Sequence, residues 1–183
     1  MPKLLIKSLL RDRYFLILLI TWALNDHVFK YSHPSVWTGK ISDVTSLACT
    51  PVLMFITMIG AGELLKSRRE SRASFERQRY QSSQLHFVLM TFNALSMSAL
   101  MIGINGYQRW ADAYCWGLGL AQWPFIGFQT WWRYGQWPPM PSVTLTMDPT
   151  DAWTAPASLI SLWLLRRSLV AVKRERSLEL GKG

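Results

Sequence analysis

The sequence predicts an all-α integral membrane bundle of four transmembrane helices with both termini in the cytoplasm. Three observations lead there. Half of the 183 residues are hydrophobic and only 17% are charged. The apolar residues gather into stretches that approach the length needed to cross a bilayer, about 20 helical residues for a hydrocarbon core of about 30 Å. Between these stretches, 16 of the 20 Lys and Arg fall into three clusters. Lys3, Lys7, Arg11 and Arg13 precede the first stretch. Lys66, Arg68, Arg69, Arg72, Arg77 and Arg79 separate the second from the third. Arg166, Arg167, Lys173, Arg174, Arg176 and Lys182 follow the last. Basic residues beside a span stay on the cytoplasmic side, so three inner clusters require an even number of spans.

Taken in order, the first span is expected at about 14–29. It reads as an uncleaved signal anchor, because the apolar run continues to Val28 without a clean small-residue cleavage site. The second is expected at about 43–65, the third at 85–104 and the fourth at 153–170. In the fourth, Arg166 and Arg167 reach the interface by snorkelling. Residues 66–84 form a cytoplasmic loop, and 105–150 form a Trp-rich outer segment beside the short outer connection 30–42. The stretch 114–132 competes as a fifth span. It would put the basic C-terminal tail outside, and its Gly117, Gly119, Pro124 and Gly127 suit a short re-entrant or interface-lying segment better. The whole chain is read as one membrane domain.

A net charge of +9 could suggest nucleic acid. The positive charge flanks apolar spans instead of lining one soluble face, so nucleic acid is excluded and anionic inner-leaflet lipid is the expected counterpart. Acidic residues sort too: the five Glu and Asp12 fall inside, whereas Asp26, Asp43, Asp112, Asp148 and Asp151 fall outside. Cys49 and Cys115 make no metal or redox spacing and read as free thiols that pack as small apolar residues.

Trp repeats the asymmetry. Trp37, Trp110, Trp116, Trp123, Trp131, Trp132, Trp137 and Trp153 lie at or beyond the expected outer interface. An indole is an apolar body with one N–H donor, which suits headgroup depth. An aromatic belt is the ordinary reading. The sharper one is a stacking surface for a lipid, quinone, pigment or sugar, or for a protein partner, with Trp110, Trp116, Trp123, Trp131, Trp132 and Trp137 as its residues. Small residues four apart, Ala94 with Ser98 and Ala99 with Gly103, let neighbouring helices approach closely.

Three polar segments fall at outer helix ends: Leu24-Asn25-Asp26-His27 with Lys30 following, Thr38-Gly39-Lys40-Ile41-Ser42-Asp43, and Met147-Asp148-Pro149-Thr150-Asp151. At about 1.5 Å per helical residue, Asp26 stands roughly 20 Å from Arg13 and Asp151 about 22 Å from Arg166, which sets both carboxylates below the outer surface. Carboxylates at that depth usually face a bundle interior or a watery cavity. Asn25, Asp26, His27, Lys30, Lys40, Asp43, Asp148 and Asp151 are therefore the candidate outer polar site. Hard oxygen ligands and one imidazole suit a divalent cation, and paired carboxylates suit acid–base work. Ordinary roles compete at each position. Asp148 can cap a helix that Pro149 opens, and Ser42 or Asp43 can cap the second span. Asp26 and Lys30, four apart, can pair, and Gly39 can supply a turn. No recognisable metalloprotease, serine-hydrolase or phosphate-loop pattern accompanies them, and no cofactor is implied.

These segments, LND, TGK-I-SD and DPTD, resemble a family of small uncharacterised bacterial membrane proteins in which the second reads TGK-L-SD and the third opens a span. The resemblance covers about 20 residues in three places, with Ile41 here in place of Leu. It implies a bacterial origin and hence the inner membrane. The first functional expectation is a non-enzymatic accessory or structural subunit of an inner-membrane complex, docking lipids or other membrane subunits through the Trp-rich segment. A small-solute or ion pathway using the buried carboxylates comes second. A membrane-embedded enzyme with a carboxylate or metal site comes third.

Overall fold

The computed structural model describes residues 2–66 and 78–180. Every regular element among them is helical. In chain order these are α1 (Pro2–Leu10), α2 (Arg13–Leu24), a π-helical turn (Asn25–Phe29), α3 (Lys30–Ser32), α4 (Val36–Lys66), α5 (Gln78–Gly106), α6 (Gln108–Tyr134), a 3₁₀ stretch (Pro149–Leu159) and α7 (Ile160–Leu180). Among the described residues, three helical segments are long and apolar enough to cross a membrane: Val36–Leu65, Gln84–Gly106 and Pro149–Glu175. The first expected span is helical over 13–32, but it divides into the 12-residue α2, the π-turn and α3. Most of the inner loop expected at 66–84, with the side chains of the middle basic cluster, lies outside the described residues.

Two compact units divide the chain, residues 1–99 with 154–183, and residues 100–153. The core of the first unit is Leu5, Leu9, Phe15, Cys49, Val52, Phe55, Met90, Leu164 and Leu165. α1 is an element that the sequence reading passed over as a basic leader. Leu5 and Leu9, four apart, are fully buried while Lys3 and Lys7 stay exposed, the pattern of an amphipathic helix. Asp12 then starts α2: its Oδ1 accepts the N–H groups of Tyr14 and Phe15 at 2.9 and 3.3 Å. Its other oxygen takes Arg167 Nε of α7 at 3.2 Å, so one carboxylate both caps a helix and holds another against it. Between α5 and the following 3₁₀ stretch, Ser98 Oγ donates to Ala155 O at 3.0 Å or shares a hydrogen with Ser158 Oγ at 2.6 Å.

α4 starts seven residues before the span expected at 43. Ser35 and Thr38 form a reciprocal cap, Thr38 N–H to Ser35 Oγ at 3.2 Å and Ser35 N–H to Thr38 Oγ1 at 3.0 Å. With this pair doing the capping, Ser42 and Asp43 lie inside the helix rather than at its start. Gly39 lies in the helix as well and makes no turn.

In the second unit, α6 is one continuous 27-residue helix through Pro124, where a short segment was expected around 114–132. It is long but not apolar enough to join the three candidate spans. Gly135, at φ 69°, ends it, and its N–H bonds Trp131 O at 2.8 Å. The chain then doubles back along α6. Trp137 covers Gly127, Trp123 Nε1 donates to Pro138 O at 2.9 Å, and Pro141 O lies over Gly119. Ala111, Gly119 and Gly127 are buried positions of α6, and a Cβ on Gly119 would stand 2.7 Å from that carbonyl oxygen. The strap ends where Asp148 N–H donates to the buried Asn105 Oδ1 at 3.1 Å.

Candidate functional site

The structure brings two of the three polar segments together. The π-turn at Asn25–Phe29 follows α2 directly. Such turns insert one extra residue into a helix and are common at functional positions. Asn25, 2% exposed, donates from Nδ2 to Thr38 O of α4 at 2.7 Å. Next to it, Asp26 takes three donors from different places. Ser42 Oγ donates to Oδ1 at 2.6 Å, Lys30 Nζ lies 3.1 Å from the same oxygen, and Trp22 Nε1 donates to Oδ2 at 2.8 Å.

Sequence spacing explains the convergence. Trp22, Asp26 and Lys30 are four apart, so they stack along one side of the first helical stretch. On α4, Thr38, Ser42 and Thr45 follow a helical period, and Ser42 and Thr45 are each 5% exposed. That polar stripe runs on into the buried Cys49 and Val52. The same face of α4 is hydroxyl-bearing where it meets Asn25 and Asp26, and apolar farther along.

An ionised carboxylate offers about four acceptor positions. Three at Asp26 are filled by the protein itself, two by neutral donors and one by a cation. The side chains of Asp26 and Lys30 remain 33% and 41% exposed. This arrangement holds an anion in place and ties α2 to α4. It is poorly suited to a general base, whose lone pair must be free for the substrate proton.

The remaining sequence candidates distribute differently. His27 is exposed, and Lys40 and Asp43 are half-buried on α4. Asp148 and Asp151 belong to the second unit. There Asp148 acts as a helix cap: its Oδ1 accepts Thr150 N–H at 2.9 Å and Thr150 Oγ1–H at 2.7 Å, and its carbonyl accepts Asp151 N–H at 2.8 Å. The helix it opens is 3₁₀ over Pro149–Leu159. A 3₁₀ helix rises about 2.0 Å per residue, so the uniform 1.5 Å ruler under-measures that stretch. Among the described residues, no three His, Cys, Asp or Glu side chains are grouped so as to hold a metal ion.

No family model, curated protein or solved structure matches the chain. The chain's own geometry is thus what bears on function.

Of the six tryptophans expected to dock lipid or partner, Trp123 is half-buried and the other five are exposed, including Trp110 and Trp137. Trp123 and Trp137 meet edge to face at 6.4 Å and pack the strap. Trp110 lies on Gly103. Trp131 and Trp132 are 50% and 76% exposed, with Phe125 at 78% and Phe128 at 58%. Phe128 stacks on Trp132 at 6.3 Å, and positions 125, 128 and 132 follow a helical repeat. An exposed aromatic face is therefore concentrated on the C-terminal half of α6, with Trp116 farther along. Sequence reasoning missed Trp22, Thr38 and Ser42 as partners of Asn25 and Asp26. The four-residue spacing of Trp22, Asp26 and Lys30 was the available signal.

Proposed function

We propose that the protein is a non-enzymatic accessory or structural subunit of a complex in the bacterial inner membrane. Four spans cross that membrane, with residues 13–32 as the first and both termini cytoplasmic. The observation that carries this reading is the engagement of Asp26 by Ser42, Lys30 and Trp22. The best-formed polar cluster at the expected outer helix ends is used to join two helices. The Trp131, Trp132, Phe125 and Phe128 face supplies the docking surface for lipid or a partner subunit, since large exposed aromatic patches mark such contacts. Extraction of the tagged protein from its native membrane in mild detergent tests this. A subunit co-purifies with a partner in fixed ratio, and Trp131→Ala/Trp132→Ala releases it. A stable, monodisperse protein free of partners would overturn the proposal.

A second reading, a small-solute or ion pathway through Asp26, draws on the π-turn at Asn25–Phe29. It predicts that Asp26→Asn changes flux into liposomes while the bundle stays folded. A membrane-embedded enzyme with a carboxylate or metal site at the outer face is the third reading.

A further inference from the structure

We infer that the groove along the basic end of α7 binds one acidic phospholipid, gripping its phosphate with arginines and laying its acyl chains on the apolar wall. The groove encloses about 680 Å³ and is lined mainly by apolar surface, with Trp163, Val170 and Leu178 beside Arg166, Arg167 and Arg174. Trp163, Arg167, Val170 and Arg174 recur at helical spacing, so one face of α7 carries both characters along its length.

Arg167 is already fixed in place. Its Nε bonds Asp12 at 3.2 Å. Its guanidinium lies 4.6 Å from the centre of the Tyr14 ring and 4.9 Å from that of Trp163, and the two rings meet edge to face at 5.1 Å. A guanidinium has five N–H donors in a rigid fork, and Asp12 takes one. Among the described residues, Arg166 and Arg174 have no carboxylate within ion-pair distance. The acidic lining groups are Asp12, committed to the α2 cap and Arg167, and Glu175. Three arginines against two carboxylates leave one positive charge, the complement of a phosphodiester.

Position selects a lipid over other phosphates. The groove lies on the helical segment Pro149–Glu175, which is apolar enough to cross a membrane, at the end where basic residues begin. An anionic headgroup beside Arg and an acyl chain beside Trp163 and Val170 follow that gradient.

The test uses the full-length protein in nanodiscs of phosphatidylcholine with increasing phosphatidylglycerol, the bound lipid being counted by native mass spectrometry. Wild type is expected to retain one phosphatidylglycerol. Arg166→Gln/Arg174→Gln should need about 25-fold more for half occupancy, since each basic residue near the surface contributes about 1 kcal/mol, or about fivefold. Lys3→Gln/Lys7→Gln removes the same charge elsewhere and should shift it less than about twofold. If the glutamine pair does not fold, Ala171→Trp fills the groove without changing charge and should displace the lipid at least about tenfold. Equal loss in both charge variants, no preference over phosphatidylcholine, a polypeptide as the retained species, or undiminished binding by Ala171→Trp would each overturn the assignment.

Discussion

Replacing Asp26 by Ala removes the acceptor for three donors at once. The Ser42 bond is the shortest, 2.6 Å, and Ser42 is only 5% exposed. In membrane bundles interhelical hydrogen bonds average about 0.6 kcal/mol and reach about 1.7. A short bond to a carboxylate belongs at the upper end, because charged acceptors roughly double a hydrogen bond's strength. The Trp22 bond, at 2.8 Å within one helical stretch, adds about 0.5–1 kcal/mol. Lys30 is exposed enough for solvent to screen it, so its pair adds at most about 1 kcal/mol. Together the loss is about 2–3 kcal/mol, roughly a 30-fold to 160-fold shift in the folded-to-unfolded ratio at fixed denaturant. Asp26→Asn keeps Oδ1 for Ser42 and Lys30 but gives up the charge and the Trp22 acceptor, so about half that loss is expected. The assay is reversible unfolding by sodium dodecyl sulfate in mixed micelles, followed by far-ultraviolet circular dichroism. A double-mutant cycle with Ser42→Ala should give a coupling of about 1 kcal/mol or more. Additive single mutants, or an unchanged midpoint in Asp26→Ala, would refute a clamp between α2 and α4.

Other substitutions extend the same reasoning. Gly127→Ala drives a Cβ into the Trp137 ring and should cost about 1–3 kcal/mol by forcing the strap off α6; unchanged thermal stability would contradict the packing. Gly39→Ala meets nothing within 4 Å inside α4 and should stabilise by about 0.5–1 kcal/mol, read as a raised unfolding midpoint. Asp12→Ala loses both the α2 cap and the Arg167 contact and should cost about 1–2 kcal/mol, with Asp12→Asn keeping most of the cap; equal losses from the two variants would show that the cap contributes little.

The helices were legible in the sequence because apolar periodicity and length are local signals. Three of the four expected spans coincide with helices able to cross a bilayer. Element starts were less legible. Ser42 and Asp43 look like good caps in isolation, but the Ser35–Thr38 pair captures the start of α4 and turns Ser42 toward Asp26. The clamp itself joins residues 16 apart in sequence across two helices, a contact that the spacing within either helix does not specify. The strap was hidden for a related reason. Gly119 and Gly127 read as breakers, whereas their lack of a side chain serves the close approach of residues 137–141. α1 was overshadowed by its own lysines, although Leu5 and Leu9 carry the helical period.

The measurement that bears most directly on the proposed role is purification from native membranes of three proteins side by side: wild type, Asp26→Asn and Trp131→Ala/Trp132→Ala. A docking subunit held together by Asp26 predicts a fixed-ratio partner with wild type, retention of that partner by folded Asp26→Asn, and its loss from the folded tryptophan variant. A partner-free wild type, or a tryptophan variant that keeps its partner while Asp26→Asn loses it, would contradict the account.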